Sequence, residues 1–307
     1  MVKVSICIPS YNDAFSLKRC LDSIMVQEYR NFDIIIADDS NTDDVEKIVR
    51  TYDFKDINYQ YFRNSPALKS PENWNFAINK AKGQYIKLLH HDDWFTYSNS
   101  LEIFVDLMEN DNNCKAAIGV VSSRNVKLED NSIININTPT QSWINRIQNN
   151  PVELICGNFI GSPSAVIHKN GLGIYYDKNL KWFVDIEFYT NILKNYNNLI
   201  VINNIDAISI GIGNSQISRE CENNGFVIIY EFFYFLEKWN VKMVCKNKAI
   251  FITTLNLLLK FNINSKNDIN SYGYKGKLPT DIIKVLIIIW KIKIKNKLIN
   301  IANKILK

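Results

Sequence analysis

Two adjacent carboxylates, Asp92 and Asp93, follow an apolar run at residues 85–89, from which His90 and His91 separate them. Neighbouring acids repel one another unless a cation lies beside them. Mg²⁺ or Mn²⁺ would relieve that repulsion and would leave coordination positions for diphosphate oxygens. The ordinary alternative is a turn or a helix cap, because Asp is common at both. This segment alone does not separate the two interpretations.

Two further polar clusters follow other apolar runs. Ser10-Tyr11-Asn12-Asp13 comes after the run at residues 3–8, and Asp38-Asp39-Ser40 comes after the run at residues 32–37. A carboxylate can accept a hydrogen bond from an imide N–H such as that of uracil, which gives Asp39 a possible binding role. Its ordinary role would be to cap the helix predicted to begin near Asp43.

Helical patterns separate the apolar runs. Strands are predicted at residues 3–8, 32–37, 58–62, 84–89 and 116–121, and helices at residues 15–26, 43–52, 72–82 and 98–110. This alternation predicts an α/β fold with a mostly parallel, Rossmann-like sheet flanked by helices. Because ligands bind beyond the carboxyl ends of the strands in such sheets, the three polar clusters are expected to converge on one edge.

The pattern changes after about residue 125. Short strand-like segments at residues 133–136, 159–160, 165–168, 199–202 and 207–210 surround a helix predicted near residues 185–196. Long apolar helices are then predicted at residues 226–239, 246–261 and from 280 to the end. We therefore expect a catalytic domain at residues 1–220 and a helical C-terminal extension at residues 221–307.

The composition of the chain excludes several classes of protein. The chain has 307 residues, of which 47% are hydrophobic, so it is neither disordered nor of low complexity. Its six cysteines are spread out and include no Cys-x-x-Cys pair, which argues against a disulfide framework or a structural zinc site. The first residues do not resemble a signal peptide. These features indicate a cytoplasmic location.

The C-terminal residues are strongly basic. Nine lysines lie between residues 275 and 307, against a single acid, Asp281. The apolar run at residues 282–290 contains Lys284 and is far shorter than the ~20 residues that span a bilayer. This pattern predicts an interfacial helix on an anionic membrane surface. The alternative is a helix packed on the domain with a solvated lysine face. No recognised nucleic-acid module supports a nucleic-acid partner.

Several ordered motifs carry a resemblance to a known family. They are residues 4–12 (VSICIPSYN), 33–40 (DIIIADDS), 73–77 (NWNFA) and 92–94 (DDW). These segments resemble the opening of family 2 glycosyltransferases, which have the GT-A fold, and the likeness extends over roughly residues 3–215. The resemblance implies inverting transfer of a sugar from a nucleotide diphosphate donor, most simply a UDP-sugar, with Mg²⁺ or Mn²⁺ as cofactor.

The resemblance also implies an acceptor and a cellular setting. The acceptor would be a glycan or a polyprenyl-diphosphate-linked sugar in bacterial surface polysaccharide synthesis, of the O-antigen or capsule type. The protein would act as a peripheral protein on the cytosolic face of the inner membrane, held there through its basic tail.

The resemblance assigns roles to single residues. The expected donor-binding residues are Pro9, Tyr11, Asn12, Asp39, Lys69, Asn75 and Asp92. Tyr11 would pack near the base, Asp39 would bind the uracil edge, and Asp93 together with Asp92 would bind the metal. His90 stands where the family has the first acid of its Asp-x-Asp motif. The metal site therefore has less negative charge than the family pattern.

A second cluster, residues 182–188 (WFVDIEF), resembles the segment that supplies the catalytic base. Asp185 matches the base, and Val184 replaces the acid that often precedes it. Inverting transfer needs a carboxylate to take the proton of the acceptor hydroxyl. The alternative role for Asp185 is a helix N-cap. Residues 157–164 resemble the acceptor-side loop, and residues 208–218 occupy the position of a mobile loop, where Ser215 and Gln216 are weaker candidates.

Two other functions remain open. A sugar-phosphate nucleotidyltransferase could share the acids and the metal, but it would be favoured by a Gly-rich basic loop, and residues 9–12 (PSYN) are not such a loop. A non-catalytic, membrane-associated protein that binds nucleotide sugars is kept open by His90 and Val184. The oligomeric state is not predicted.

Overall fold

The computed structural model describes residues 2–110, 115–196, 199–213 and 220–305, and the predicted candidates Ser215 and Gln216 lie outside these ranges. The chain forms two compact units. The first comprises Met1–Pro151 and Asn158–Gln216, and the second comprises Val152–Gly157 and Ile217–Lys307.

The first unit contains a nine-stranded sheet with helices around it. The strands are β1 (Val4–Ser10), β2 (Phe32–Asp38), β3 (Asn58–Arg63), β4 (Tyr85–Leu88), β5 (Trp94–Phe95), β6 (Ile118–Lys127), β7 (Ile133–Asn137), β8 (Val166–Lys169) and β9 (Ile200–Ile212). The helices are α1 (Ala14–Met25), α2 (Asp44–Arg50), α3 (Glu72–Lys80), α4 (Ser100–Glu109), α5 (Gln141–Asn149) and α6 (Val184–Asn195). The strand order is β3-β2-β1-β4-β8-β6-β9-β5, with β7 paired to β6.

Half of this sheet is wholly parallel. Strands β3, β2, β1 and β4 are neighbours and all run in the same direction. Every residue of β1 and β2 is buried, because α3 packs on one face of these strands and α1 and α4 contribute to the core on the other. Their near-continuous apolar sequences match a sheet that is covered on both sides. The predicted α/β, Rossmann-like class is confirmed.

The other half of the sheet is mixed. Strand β8 lies antiparallel between β4 and β6, and β5 and β7 also pair antiparallel with their neighbours. The predicted strands at residues 199–202 and 207–210 form one strand, β9, which pairs parallel with β6 on both sides of a register shift between Val121 and Ser123. The predicted strand at residues 159–160 is a tight turn instead. The side chain of Asn158 bonds both the N–H and the carbonyl of Gly161 there.

The second unit is helical. Its helices are α7 (Gly225–Lys238), α8 (Lys248–Lys260), α9 (Lys266–Ser271) and α10 (Ile282–Ile305). The Asn224 side chain caps α7, and the Asn247 side chain caps α8 by accepting backbone N–H bonds. One face of α10 is buried through Ile282, Val285, Leu286 and Ile289. Within the described ranges, no helix has both the length and the apolar character needed to cross a bilayer.

Candidate active site

The three predicted polar clusters meet at one edge of the parallel half of the sheet. The N–H of Asn12 donates to Ser40 Oγ at 2.8 Å, and the N–H of Asn41 donates to Asn12 Oδ1 at 2.9 Å, so the loops after β1 and β2 are bonded together. His91 Nδ1 lies 3.2 Å from the carbonyl oxygen of Pro9, which connects the loop after β4 to β1. This convergence is what a parallel sheet requires of strand-end residues.

Tyr11 is exposed at this edge. The residue is 52% exposed, and its hydroxyl receives a long 3.4 Å bond from Asn41 Nδ2. The next residue, Asn12, has a left-handed backbone with φ of 50°, which Asn tolerates better than most residues. Tyr11 is therefore accessible at this edge, as stacking on a nucleobase would require.

Asp39 is buried and accepts three hydrogen bonds. Asn64 Nδ2 donates at 2.8 Å, the N–H of Leu68 at 3.1 Å and the N–H of Lys69 at 2.6 Å. A carboxylate has about four acceptor positions, so one remains for a ligand N–H. Most of the hydrogen bonding of Asp39 therefore holds the loop between β3 and α3 in place.

Lys69 and Asn75 are placed differently from the other predicted residues. Lys69 reaches Asp39 through its backbone, in a left-handed conformation with φ of 67°, while its side chain is exposed. Asn75 Oδ1 accepts the N–H of Tyr176 at 2.9 Å, and its Nδ2 donates to the Tyr176 carbonyl at 2.8 Å. The Asn75 amide thus positions the segment that contains Tyr176. A donor contact by the Lys69 side chain stays a prediction.

His90, Asp92 and Asp93 form a compact trio. Each offers a ligand atom within 4.8 Å of the others. Asp93 is 2% exposed, and its Oδ1 accepts the N–H of Gly211 on β9 at 3.0 Å. Glycine is required at 211 because a Cβ there would lie 2.3 Å from the Asp92 carbonyl oxygen. The buried Nε2 of His90 has no hydrogen-bond partner.

The electrostatics of the trio suit a cation. Burial, together with the charge of Asp92, raises the pKa of Asp93 well above its usual value. Burial lowers the pKa of His90 to about 4, so the imidazole is neutral near pH 7 and keeps a lone pair for a metal. Carboxylate oxygens and an imidazole nitrogen are ordinary ligands for divalent cations. The residues therefore fit a divalent metal site.

A buried lysine that the sequence did not single out lies behind the trio. Lys87 on β4 is fully buried, and its Nζ donates to the carbonyls of Leu88 (3.1 Å) and Ser164. Burial lowers the pKa of Lys87 to about 7, while the charge of Asp93 acts in the opposite direction. The hydroxyl of Ser164 accepts the N–H of His90 at 3.0 Å, so Lys87 supports the loop that carries the trio.

Asp185 lies in the first turn of α6. The capping residue of that helix is Phe183, without a side-chain cap bond, so the capping alternative for Asp185 is wrong. Its Oδ1 is buried without a hydrogen-bond partner. Burial raises the pKa of Asp185 to about 7. A carboxylate with a pKa near the working pH is well matched to taking up a proton.

A series of aromatic contacts connects the helix of Asp185 with the trio. Phe188 on α6 stacks on Tyr176 with 3.9 Å between ring centroids, and Tyr176 meets Trp74 edge-on at 5.1 Å. Trp74 in turn contacts the His90 ring at 4.6 Å. The trio and the helix that presents Asp185 therefore share one continuous aromatic wall within the first unit.

A half-parallel α/β sheet with polar loops and the trio of His90, Asp92 and Asp93 at its strand ends is typical of the GT-A class of fold. The chain belongs to the family described as "Glycosyl transferase family 2", whose family model matches residues 5–204. The predicted fold and family are thereby confirmed.

Curated relatives carry related names. The chain is 30% identical over 196 residues to an uncharacterized glycosyltransferase of Rickettsia typhi, covering 62% of this chain and 58% of that protein. It is also 30% identical over 94 residues to the GalNAc(5)-diNAcBac-PP-undecaprenol beta-1,3-glucosyltransferase of Campylobacter jejuni, covering 30% of each chain. The chain thus spans less than two thirds of the length of these relatives.

Solved structures share the fold at low sequence identity. TarS 1–349 from S. aureus in complex with UDP-GlcNAc aligns with a TM-score of 0.57 and 14% identity, covering 88% of this chain and 83% of that one. The mannosyltransferase PcManGT from Pyrobaculum calidifontis, in complex with GDP-Man and Mn²⁺, aligns with a TM-score of 0.57 and 13% identity, covering 92% and 78%. At this identity the likeness supports the fold alone.

Proposed function

We propose that the protein is an inverting glycosyltransferase that moves a sugar from a nucleotide diphosphate donor, a UDP-sugar, to a hydroxyl of its acceptor. The observation that carries this proposal is Asp185, whose carboxyl has a buried, unbonded oxygen and a pKa raised to about 7 by burial. The aromatic wall joins its helix to the trio of His90, Asp92 and Asp93. Family membership supports the same reaction.

The proposed reaction is a single displacement at the anomeric carbon. Asp185 takes the proton of the acceptor hydroxyl as that oxygen forms a bond to the anomeric carbon. The bond from this carbon to the diphosphate oxygen breaks, and its electron pair leaves with the nucleoside diphosphate. Attack occurs opposite the leaving group through an oxocarbenium-like transition state, so the anomeric configuration inverts.

His90, Asp92 and Asp93 are proposed to hold the divalent metal. A divalent cation, when bound, offsets the charge that develops on the leaving diphosphate. Two carboxylates suit Mg²⁺ or Mn²⁺, and the imidazole nitrogen of His90 shifts the preference toward Mn²⁺. The Mn²⁺ in the complex of PcManGT agrees with this choice.

The nucleoside is proposed to bind at the joined loops after β1 and β2. The exposed Tyr11 ring would stack on the base, and the remaining acceptor position of Asp39 would bind the imide N–H of uracil. Pro9 and Asn12 would line the same edge. The UDP-GlcNAc complex of TarS supports a uridine nucleotide.

Nucleotide release from a panel of sugar donors tests the proposal. We expect UDP release from at least one UDP-sugar, about tenfold faster with Mn²⁺ than with EDTA, because the metal offsets charge on the leaving group. Formation of diphosphate from UTP and a sugar 1-phosphate would instead establish a nucleotidyltransferase. Tight donor binding without release in the presence of an active acceptor extract would indicate the non-catalytic alternative.

The acceptor is proposed to be a glycan or a polyprenyl-diphosphate-linked sugar used in bacterial surface polysaccharide synthesis. The undecaprenol-linked substrate in the name of the Campylobacter jejuni relative supports this class. A lipid-linked acceptor lies at the membrane surface, so an enzyme that works there gains from its own membrane contact. A cytosolic-face, peripheral location follows from this proposal.

One face of α10 fits an anionic membrane surface. Five exposed apolar side chains recur at helical spacing along it: Ile283, Ile287, Trp290, Ile294 and Leu298. Trp290 is 63% exposed and Leu298 61%. Exposed lysines recur at helical spacing along one side of this stripe: Lys284, Lys291 and Lys295. Apolar residues that enter the headgroup boundary beside lysines that meet anionic lipid are typical of interfacial helices.

A double substitution, Ile287→Ser with Trp290→Ser, is expected to weaken binding to vesicles containing phosphatidylglycerol by about tenfold or more, since it removes apolar area that would enter the bilayer. Co-sedimentation measures the partitioning, with pure phosphatidylcholine vesicles in parallel. Ile252→Ser, at an exposed position of α8, is the matched control. Unchanged partitioning of the double variant, or equal binding to both lipids, would contradict the proposal. Deleting α10 is a poorer test because its opposite face is buried.

A further inference from the structure

Arg19 on α1 has no role in the reaction proposed above. Its guanidinium carbon lies 3.9 Å from the centroid of the Trp94 ring, and Trp94 directly follows Asp93. Nε and Nη2 of Arg19 are buried without a hydrogen-bond partner. The remaining nitrogen, Nη1, makes one long bond of 3.4 Å to Asn131 Oδ1. The guanidinium is thus fixed in place with most of its donors unused.

The charges around Arg19 are those of the donor site. Burial lowers the pKa of Arg19, and the carboxylates of Asp13, Asp92 and Asp93 act in the opposite direction. None of these acids comes within 4 Å of the guanidinium as an ion pair in the described part of the chain. Asp13 instead accepts the N–H of Ser16 at 2.9 Å as the cap of α1.

Buried donors without a partner are costly, and those of a charged group more so. Such groups in a folded protein call for an explanation, such as an ion or ligand that completes them. An anion next to the metal-binding acids would complete the donors of Arg19. The planar fork of a guanidinium matches phosphate oxygens in two-point contacts, which a lysine cannot reproduce. Stacking on Trp94 holds the fork in one orientation, so little side-chain freedom is lost on binding.

We propose that Arg19 binds the diphosphate of the nucleotide donor. This inference rests on the proposed function, since it assigns a contact within that donor site. His90 replaces a carboxylate in the trio, which leaves the metal with one anionic ligand fewer. Arg19 adds a permanent positive charge beside the trio. The diphosphate is therefore held in part by the protein itself, and nucleoside diphosphate binding persists when the metal is removed.

Binding of UDP and of uridine in EDTA, measured by calorimetry and by tryptophan fluorescence, tests the inference. Wild-type protein is expected to bind UDP at least about tenfold more tightly than uridine, in keeping with the strength of charge-assisted hydrogen bonds to phosphate. Arg19→Met removes the charge but keeps the length of the side chain. It is expected to abolish the preference for UDP while leaving the affinity for uridine within about twofold.

Two further variants separate the contact from general effects of charge. Arg19→Lys keeps the charge without the fork and is expected to retain only part of the preference for UDP. Arg50→Met removes an arginine that is 76% exposed on α2 and pairs with Glu46, so it is expected to behave as wild type. If Arg19→Met does not fold, Arg19→Lys decides: a preference equal to that of wild type would overturn the inference.

Failure of the inference and failure of the proposed function give different results. Equal affinities of wild-type protein for UDP and uridine in EDTA, or an unchanged preference in Arg19→Met, would overturn the role of Arg19 alone. A wild-type protein that binds none of UDP, GDP, CDP and dTDP, even with Mn²⁺, would overturn the donor site and the proposed function with it.

Discussion

Asp185→Asn is expected to lower the rate of sugar transfer by about 10³-fold, within the 10²–10⁴ range of general acid–base catalysis. The amide keeps the shape of the side chain but cannot take the proton of the acceptor hydroxyl. Because Asp185 is proposed to act on the acceptor, the affinity for the nucleotide donor should change little. Initial rates with a true acceptor, set beside calorimetric donor binding, measure both. Asp130→Asn, an exposed acid in the turn after β6, is the control.

The pH dependence of the same pair of proteins makes the test sharper. The pKa of Asp185 is raised to about 7, so the wild-type rate should rise about tenfold per pH unit below pH 7 and level off above it. The residual rate of Asp185→Asn should not show this rise with pH. A variant that transfers sugar at the wild-type rate, or that keeps the rise with pH, would remove Asp185 from the role of base.

The stability of Asp185→Asn should move in the opposite direction from its activity. A carboxyl whose pKa is raised on folding costs stability at every pH above its unfolded pKa, and the cost reaches its maximum above the folded pKa of about 7. The amide carries no such cost. The Tm of the variant should therefore exceed that of wild type at pH 8, with little difference near pH 4. The rise should be at most about 2–4 °C per kcal/mol, the value for proteins somewhat smaller than this one.

Asp93→Asn is expected to lower the transfer rate by about 100-fold in Mn²⁺ and to weaken Mn²⁺ binding by about tenfold or more, since a neutral amide is a poor ligand for a hard cation. Electron paramagnetic resonance of free Mn²⁺ gives the affinity without reference to turnover. The variant should fold normally, because burial already disfavours the Asp93 carboxylate and an amide can still accept the N–H of Gly211.

Asp106→Asn, at an exposed position on α4, provides the comparison for Asp93→Asn. It removes one negative charge, as Asp93→Asn does, but at a residue outside the trio. The transfer rate and the Mn²⁺ affinity should therefore keep their wild-type values. An Mn²⁺ affinity of Asp93→Asn equal to that of wild type would show that the metal is held elsewhere. Loss of Mn²⁺ binding without loss of rate would instead make the metal dispensable for transfer.

The sequence was sufficient to predict that the three polar clusters meet at one edge of the sheet. Strands β1 and β2 are buried throughout and therefore read as continuous apolar runs, so the polar residues that follow them stand out. Parallel pairing then brings Asn12 and Ser40 together as expected. The family resemblance supplied the assignment of Asp185, which spacing alone left as an N-cap.

Other parts of the site depend on contacts that no local pattern carries. Arg19 looks like any basic residue of an amphipathic helix until the fold places it over Trp94, 75 positions along the chain. Lys87 interrupts an apolar run, but its burial depends on the carbonyl of Ser164 from a distant loop. Asn75 lies in a motif of the family, yet its side-chain amide forms hydrogen bonds with the backbone of Tyr176, about 100 positions away. Contacts between residues this far apart in the sequence are determined by how the helices and strands pack, so local secondary-structure propensity does not predict them.

The aromatic wall from Phe188 through Tyr176 and Trp74 to His90 has a consequence for the engineering and evolution of this protein. Trp74 and His90 come from the half of the chain assigned to the donor, whereas Tyr176 and Phe188 come from the half assigned to the acceptor. The two halves are therefore not interchangeable modules. A chimera joined between residues 95 and 158 would bring together rings that do not match in size or position. Under the proposed function, changes of acceptor specificity should be tolerated best where they leave the aromatic wall intact.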